Sequence, residues 1–163
     1  MKKRWISLYV ENYSGVLAKV AGLFSAKAYN LDSLTVGATE DPTVSRMTIG
    51  VISDDATFEQ IKKQLNRCVE VIKVIDFTSI PIHRNELLYI KVACPAKEDR
   101  EEIFRIAQAF GAAVIDCDME NVLLQCVQTE QRNDSLIALI RDNFKDIEVV
   151  RGGSVAIESI SMM

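Results

Sequence analysis

The chain reads as an α+β protein made of two successive units that share one order of strands and helices. Three observations carry this. Apolar and polar residues alternate in short stretches, the apolar spacing switches to three and four between them, and the series of switches occurs twice within 163 residues. A chain of this length with 48% hydrophobic residues can build one ordinary core or two small ones.

Ile6, Leu8 and Val10 alternate with Ser7, Tyr9 and Glu11, which predicts a strand with one buried face. Val16, Leu17, Val20, Leu23 and Phe24 then recur at helical spacing, with Ser14 placed as N-cap. Gly22 inside this helix costs about 1 kcal/mol against alanine, which predicts a close packing contact there. A second strand covers residues 31–38, and Glu40-Asp41-Pro42-Thr43 supplies turn chemistry before a third strand from Val44 to Ser53. Asp54 and Asp55 introduce a helix with the apolar face Phe58, Ile61 and Leu65, and a fourth strand runs from Val69 to Phe77.

The order repeats after the loop Thr78–Asn85. Glu86 to Cys94 is a strand, Ile103, Ile106, Ala107 and Phe110 mark a helix, and Gly111 ends it. Ala113 to Met119 and Val122 to Thr129 form a hairpin around Glu120-Asn121, and Leu136, Ile137, Ile140 and Phe144 mark the last helix. Ile147 to Arg151 closes the unit, and Gly152-Gly153 leads to a final extended segment, Ser154 to Ile160.

Each half contains a direct strand-to-strand hairpin, so two ferredoxin-like βαββαβ domains explain the order better than a doubly wound parallel sheet. The expected domains are residues 1–77 and 78–163, each an antiparallel sheet with helices on one face. The other sheet face is left bare, and an apolar bare face needs cover. Pairing of domains side by side, in a homodimer or between the two repeats, is the expected remedy.

Composition narrows function. Residues 1–77 hold ten Lys/Arg against nine Asp/Glu, and residues 78–163 hold nine against fourteen, with no basic stripe of the kind nucleic acid requires. The third strand, Ser45-Arg46-Met47-Thr48-Ile49-Gly50-Val51, lacks the aromatics on which an RNA-binding sheet stacks bases. No apolar run approaches a membrane span and Met1-Lys2-Lys3-Arg4 leads into a strand, which sets a cytoplasmic expectation. Cys68, Cys94, Cys117 and Cys126 form no C-x-x-C pair and read as buried structural thiols. His83 is the only histidine and lies near Pro81 in the expected linker, so a histidine-based triad or zinc site has little to draw on. Asp54-Asp55 fits a helix start, and Asp116 with Asp118, two apart on a strand, would need further oxygen ligands to bind a cation. No phosphate-binding glycine loop or dinucleotide fingerprint is present.

The motif with the most chemistry is Glu11-Asn12-Tyr13-Ser14-Gly15-Val16-Leu17, followed by Asn30-Leu31-Asp32-Ser33-Leu34-Thr35-Val36. It reads as strand, sharp turn, helix start and returning strand. A helix start exposes unpaired N–H groups at the positive end of the dipole and can hold a small carboxylate without a basic side chain. Gly15 has no Cβ to fill that space, Asn12 and Asn30 offer donors and acceptors for a zwitterion, and Leu17 and Leu31 can bound an aliphatic pocket. Turn formation alone would also account for both asparagines.

The run ENYSGVLAKVAGLFSAKAYNLDSLTVGATEDPTVSRMTIGV, residues 11–51, resembles the small regulatory subunits of acetolactate synthase (acetohydroxyacid synthase), whose N-terminal half is an ACT domain. The similarity extends across the chain. The resemblance implies a non-catalytic chain that forms a homodimer through its ACT domains, activates a separate catalytic large subunit and confers feedback inhibition by valine or another branched-chain amino acid. It places Asn12, Gly15, Val16 and Leu17 at the effector's polar end, with Asn30 and Leu31 contributed across the interface. It implies no cofactor in this chain, since thiamine diphosphate, magnesium and FAD would belong to the catalytic subunit. Contacts with that subunit are expected from Ser33, Leu34, Thr35 and Val36, if that strand lies at the sheet edge, and from Arg46. The glycine usual before Tyr-Asn in this family is Ala28 here, which bears on the helix ending. The alternative is a freestanding tandem-domain amino-acid sensor acting on another enzyme or on transcription.

Overall fold

A computed structural model describes residues 1–161, which form two compact units. The first comprises Met1–His83 together with the segment from Val155 onward, and the second is Arg84–Ser154. Two strands cross the boundary, and the first unit is not one continuous stretch of chain. Among the described residues no helix is long and apolar enough to cross a membrane.

The first unit runs β1 (Lys2–Glu11), α1 (Val16–Ala26), β2 (Leu31–Ala38), β3 (Val44–Ser53), α2 (Asp55–Leu65) and β4 (Val71–Asp76). Its sheet has the order β2-β3-β1-β4, with antiparallel neighbours and β2 at an edge. Ile6, Leu8 and Val10 of β1 and Met47, Ile49 and Val51 of β3 face the helices and meet Val16, Val20 and Phe24 of α1 and Phe58, Ile61 and Leu65 of α2. Asp54 caps α2 by accepting the Thr57 backbone N–H at 2.7 Å.

The second unit is built from β5 (Ile82–Ala93), α3 (Lys97–Phe110), β6 (Ala113–Cys117), β7 (Asn121–Gln128), α4 (Glu130–Asn143) and β8 (Ile147–Glu158), with sheet order β6-β7-β5-β8. Leu88, Ile90, Val92, Leu124, Ile103, Leu136 and Ile140 form its buried centre. The twice-repeated βαββαβ order with antiparallel sheets is the α+β architecture expected from the sequence. In the buried polar corner of this unit, Arg151 donates from Nε and Nη2 to the two oxygens of Glu86 at 2.9 and 2.7 Å, and Asn133 Nδ2 donates to the same carboxylate at 3.1 Å. Burial pushes the Glu86 carboxyl up, but these hydrogen bonds outweigh it and hold the group below the ordinary range.

Several elements differ from expectation for local reasons. The N-cap of α1 is Gly15, not Ser14, because the chain enters the helix through a left-handed residue. Gly22 is exposed, and a Cβ there would meet nothing within 4 Å, so it relieves no close contact. The fourth strand begins at Val71, and Val69 projects into solvent. β5 begins inside the expected linker, at Ile82. β6 stops at Cys117 because the Asp118 carboxylate turns the chain, accepting the N–H groups of Glu120 and Asn121 at 2.8 and 2.6 Å. Asp118 therefore lies just beyond the strand, although it and Asp116 border one shallow cleft together with Lys91 and Asn121. β8 continues unbroken through Gly152 and Gly153, the latter at φ 80°, where an ending at Arg151 was expected. Cys94 and Cys126 are buried, whereas Cys117 is exposed on the β6 edge strand.

The helix-free face of the first sheet is covered by the chain itself. Trp5, Ile75 and Phe77 cluster there with Ala156 from the end of β8, and Tyr9 and Ile82 pack against them. Gly50 of β3 makes this possible: a Cβ at that position would lie 2.9 Å from Trp5 Cζ3 and 3.0 Å from Cη2. Gly50→Ala is therefore expected to displace the indole and lower stability by roughly 1–3 kcal/mol. Trp5 is the only tryptophan and is 8% exposed, so urea titration of the variant followed by its fluorescence should show both an earlier midpoint and a red-shifted folded baseline.

Candidate functional site

The end of β1 is stitched to two loops. Glu11 N–H donates to Glu70 O at 3.0 Å and Asn12 N–H to Thr43 O at 2.8 Å. The Asn12 carboxamide donates from Nδ2 to Pro42 O at 2.9 Å. The 39–43 turn is itself fixed: Asp41 Oδ1 accepts the Thr43 hydroxyl at 2.6 Å and its N–H at 2.9 Å, and these bonds hold the Asp41 carboxyl below the usual range. Asn12 is thus an exposed amide on a rigid mount. Beside it lies a shallow cleft of about 480 Å³ bounded by Asn12, Tyr13, Pro42, Thr43 and Ile72.

Gly15 sits at φ 93°, ψ −13°, a region that disfavours L side chains, and a Cβ placed there would meet nothing within 4 Å. The space over the helix start is open. Lys19 N–H takes Gly15 O at 2.9 Å and Val16 N–H reaches Tyr13 O at 3.4 Å, whereas the first-turn N–H groups of Leu17 and Ala18 have no acceptor among the described residues. Two donors at the positive end of a helix are what a small carboxylate requires. The Val16 side chain is buried in the core, so only its backbone is available here, while Leu17 is 43% exposed.

Two residues outside the motif, Lys19 and Glu70, stand at the same end of α1. Glu70 accepts Lys19 Nζ in an ion pair and the Tyr13 hydroxyl at 3.4 Å. The Lys19 hydrogen bond holds the Glu70 carboxyl down, and Glu70 in turn holds the lysine up. Lys19 one turn after Gly15 is visible in sequence, but Glu70 lies 51 positions further on and no spacing rule connects the two.

Asn30 and Leu31 stand at the opposite end of the helix. Eleven residues at 1.5 Å each separate the two ends by roughly 16 Å. The helix ends in a Schellman turn: Tyr29 N–H donates to Phe24 O at 3.0 Å, Ala28 N–H to Ser25 O at 3.1 Å, and the Phe24 and Tyr29 rings meet edge to face at 6.3 Å. Ala28 takes the left-handed position at φ 53°, where a glycine would sit without strain. Asn30 is exposed, its carbonyl accepting Ile52 N–H at 3.3 Å, and Leu31 is half-buried against the core. One chain therefore does not bring Asn30 and Leu31 to Asn12 and Gly15.

Of the remaining residues singled out from sequence, Ser33, Leu34, Thr35 and Val36 lie on the edge strand β2, opposite Gly50, Ile49, Thr48 and Met47. Leu34 packs against the core and Val36 is 45% exposed. Arg46 is not a solvated strand arginine. Its Nε donates to Ser7 Oγ at 2.8 Å, its Nη2 to Glu158 Oε2 at 2.7 Å, and its guanidinium lies 4.9 Å from the Tyr9 ring centroid. The second repeat offers no equivalent of the Gly15 site: α3 follows Ala96, and its first turn carries Glu98 and Asp99, whose charges oppose a carboxylate. Among the described residues no cluster of His, Cys, Asp and Glu is disposed to hold a metal ion.

Residues 6–73 match the family model of the small-subunit-like ACT domain of acetohydroxyacid synthase, and residues 85–160 match that of the acetolactate synthase small subunit. The chain is 41% identical over 94% of its length to a probable acetolactate synthase small subunit of Archaeoglobus fulgidus, of which it covers 95%. It is 37% identical over 95% of its length to the acetolactate synthase isozyme 3 small subunit of Escherichia coli, of which it covers 94%. The crystal structure of the acetolactate synthase small subunit from Thermotoga maritima superposes with a TM-score of 0.88 at 33% identity, covering 99% of this chain and 100% of that one. The chain belongs to the acetolactate synthase small-subunit family.

The two ends of α1 make opposite predictions. Gly15→Ala forces a methyl-bearing residue to φ 93° and should cost about 1 kcal/mol, whereas Ala28→Gly releases strain and should gain about 1 kcal/mol. Urea unfolding of the two variants beside the parent measures both, and a shift of the same sign in each would contradict these end geometries.

Proposed function

From membership of that family we propose that this chain is the regulatory subunit of an acetolactate synthase. It is non-catalytic, activates a separate catalytic large subunit, and inhibits it when valine or another branched-chain amino acid binds between two ACT domains. It needs no cofactor of its own, and thiamine diphosphate, magnesium and FAD belong to the catalytic subunit. The cytoplasm is its place of action.

The observation that carries the effector reading is the open helix start at Gly15 with Asn12 held beside it. The effector carboxylate sits on the free N–H groups of Leu17 and Ala18, and Asn12 contributes a polar contact. The register of the sheet supports completion of the site by a second copy. Glu11 lies opposite Val44, and Ala38 opposite Ser45, so the end of β2, the start of β3 and the end of β1 share one end of the sheet with Asn12. If two β2 edges pair antiparallel about a two-fold axis, the start of the partner's β2 arrives at that end and carries Asn30 and Leu31 with it. Two equivalent sites then form, one on each side of the axis.

Feedback follows by linkage. If the effector-bound pair of ACT domains fits the active catalytic assembly less well than the empty pair, binding disfavours that assembly. A coupling of about 1–3 kcal/mol corresponds to a change of roughly 5- to 150-fold in affinity.

Reconstitution with the catalytic subunit from the same source, assayed for pyruvate condensation with and without valine, tests the reading. Faster turnover that valine suppresses is expected. Gly15→Asp puts bulk and negative charge where the carboxylate sits and should abolish the valine response while activation survives. Asn30→His should weaken the response at least several-fold. No activation and no inhibition by a folded chain would favour the freestanding amino-acid sensor, and an unchanged valine midpoint in Gly15→Asp would place the effector elsewhere.

A further inference from the structure

The turn between β2 and β3 carries more hydrogen bonds than a hairpin needs. Thr39 N–H donates to Val44 O and Val44 N–H to Asp41 O, each at 3.0 Å, and these two bonds close it. The Thr39 hydroxyl adds a brace by accepting the Asp41 N–H at 3.1 Å. The Asp41 side chain acts on top of that. Its Oδ1 reaches over Pro42 to accept the N–H and the hydroxyl of Thr43 at 2.9 and 2.6 Å, which is an Asx turn.

The extra bonds fix one peptide group. The N–H that Asp41 holds and the carbonyl of Pro42 belong to the same planar unit, and because that unit is trans the two point in opposite directions. With its N–H on Asp41, the group aims its carbonyl at Asn12, whose Nδ2 donates to it at 2.9 Å. The backbone of Asn12 is tied to the same turn, its N–H donating to Thr43 O at 2.8 Å.

The orientation of the Asn12 carboxamide decides what it can bind. An amide oxygen cannot face the Pro42 carbonyl, so the nitrogen does, and Oδ1 is turned outward, where no described residue donates to it. An outward amide oxygen accepts an ammonium group and repels a carboxylate. The helix start at Gly15, three residues on, has the opposite preference. Together they distinguish the two charged ends of an α-amino acid.

We propose that Asp41 is a positioning residue of the effector site: through the Pro42–Thr43 peptide it holds Asn12 with Oδ1 presented to the effector's ammonium group. The inference rests on the effector reading given above. It gives Asp41 a part in selecting an amino acid over the plain carboxylic acid, without contact to the ligand.

Calorimetry of the full-length chain with valine and with isovalerate, which has the same side chain and carboxylate but no amino group, tests this. Asp41→Ala should weaken valine binding about tenfold, the size of one hydrogen bond to a charged group, and leave isovalerate within twofold of the parent, with unchanged far-UV circular dichroism. Asp41→Asn keeps an Oδ1 acceptor and should retain the parent's selectivity. Asn12→Ala should lose selectivity to the same degree, and adding Asp41→Ala to it should cost nothing further. If Asp41→Ala fails to fold, Asp41→Ser, whose hydroxyl makes the same turn more weakly, carries the same expectation at smaller size. An equal loss for both ligands would reduce Asp41 to a turn former, and a further loss in the double variant would show that it does not act through Asn12. Either result overturns the positioning role. If the parent chain itself binds no valine, the effector reading fails, whereas valine binding with unaltered selectivity in Asp41→Ala removes Asp41 alone.

Discussion

The proposed effector site depends on one constraint, the geometry of the helix α1. It starts at a glycine in a left-handed conformation, which leaves the first-turn N–H groups uncovered. It runs for eleven residues and ends in a Schellman turn that delivers Asn30 to the other side of the sheet end. The buried side chains Val16, Val20 and Phe24 anchor its axis, so neither end can drift toward the other. A ligand that needs both ends is too small to span the helix. A second copy of the chain would supply the missing half without any change in conformation, and that is the physical reason for proposing a site at an interface.

The second constraint is the one-sided cover that two helices give a four-stranded sheet. The first unit answers it with Trp5, Phe77 and the end of β8, and it tolerates the indole only because β3 carries Gly50 beneath it. The functional unit is consequently discontinuous in sequence. A cut in the linker after residue 77 would remove Ala156 and Glu158 together with the second repeat, so loss of regulation in such a fragment would not by itself assign a role to that repeat.

Most of the fold was legible in the sequence because each element obeys its local period. Ile6, Leu8 and Val10 on one face and Phe58, Ile61 and Leu65 on another are unambiguous, and Asp54 announces its helix with a cap that the structure contains. The misreadings come from backbone conformations that composition does not encode. Ser14 looks like a cap, but the turn is made by Gly15 at positive φ; Gly152-Gly153 looks like a break, but the strand passes through it. At the candidate site, Asn12 and Gly15 were visible because the motif is contiguous. Glu70 and Glu158 were not, because each acts on a residue 51 or 112 positions away and only the folded sheet brings them together. Arg46 shows the difference most plainly: an arginine on a strand usually reads as solvated, and it is instead braced by Ser7, Glu158 and the Tyr9 ring.

The central claim is that the effector site is divided between two chains. Sedimentation velocity across a range of chain concentrations, with and without valine, tests it most directly. The account predicts that valine drives the chain toward the dimer and that its apparent affinity rises as the chain concentration passes the dimer dissociation constant. Saturable valine binding to a monomer, with an affinity independent of chain concentration, would contradict it.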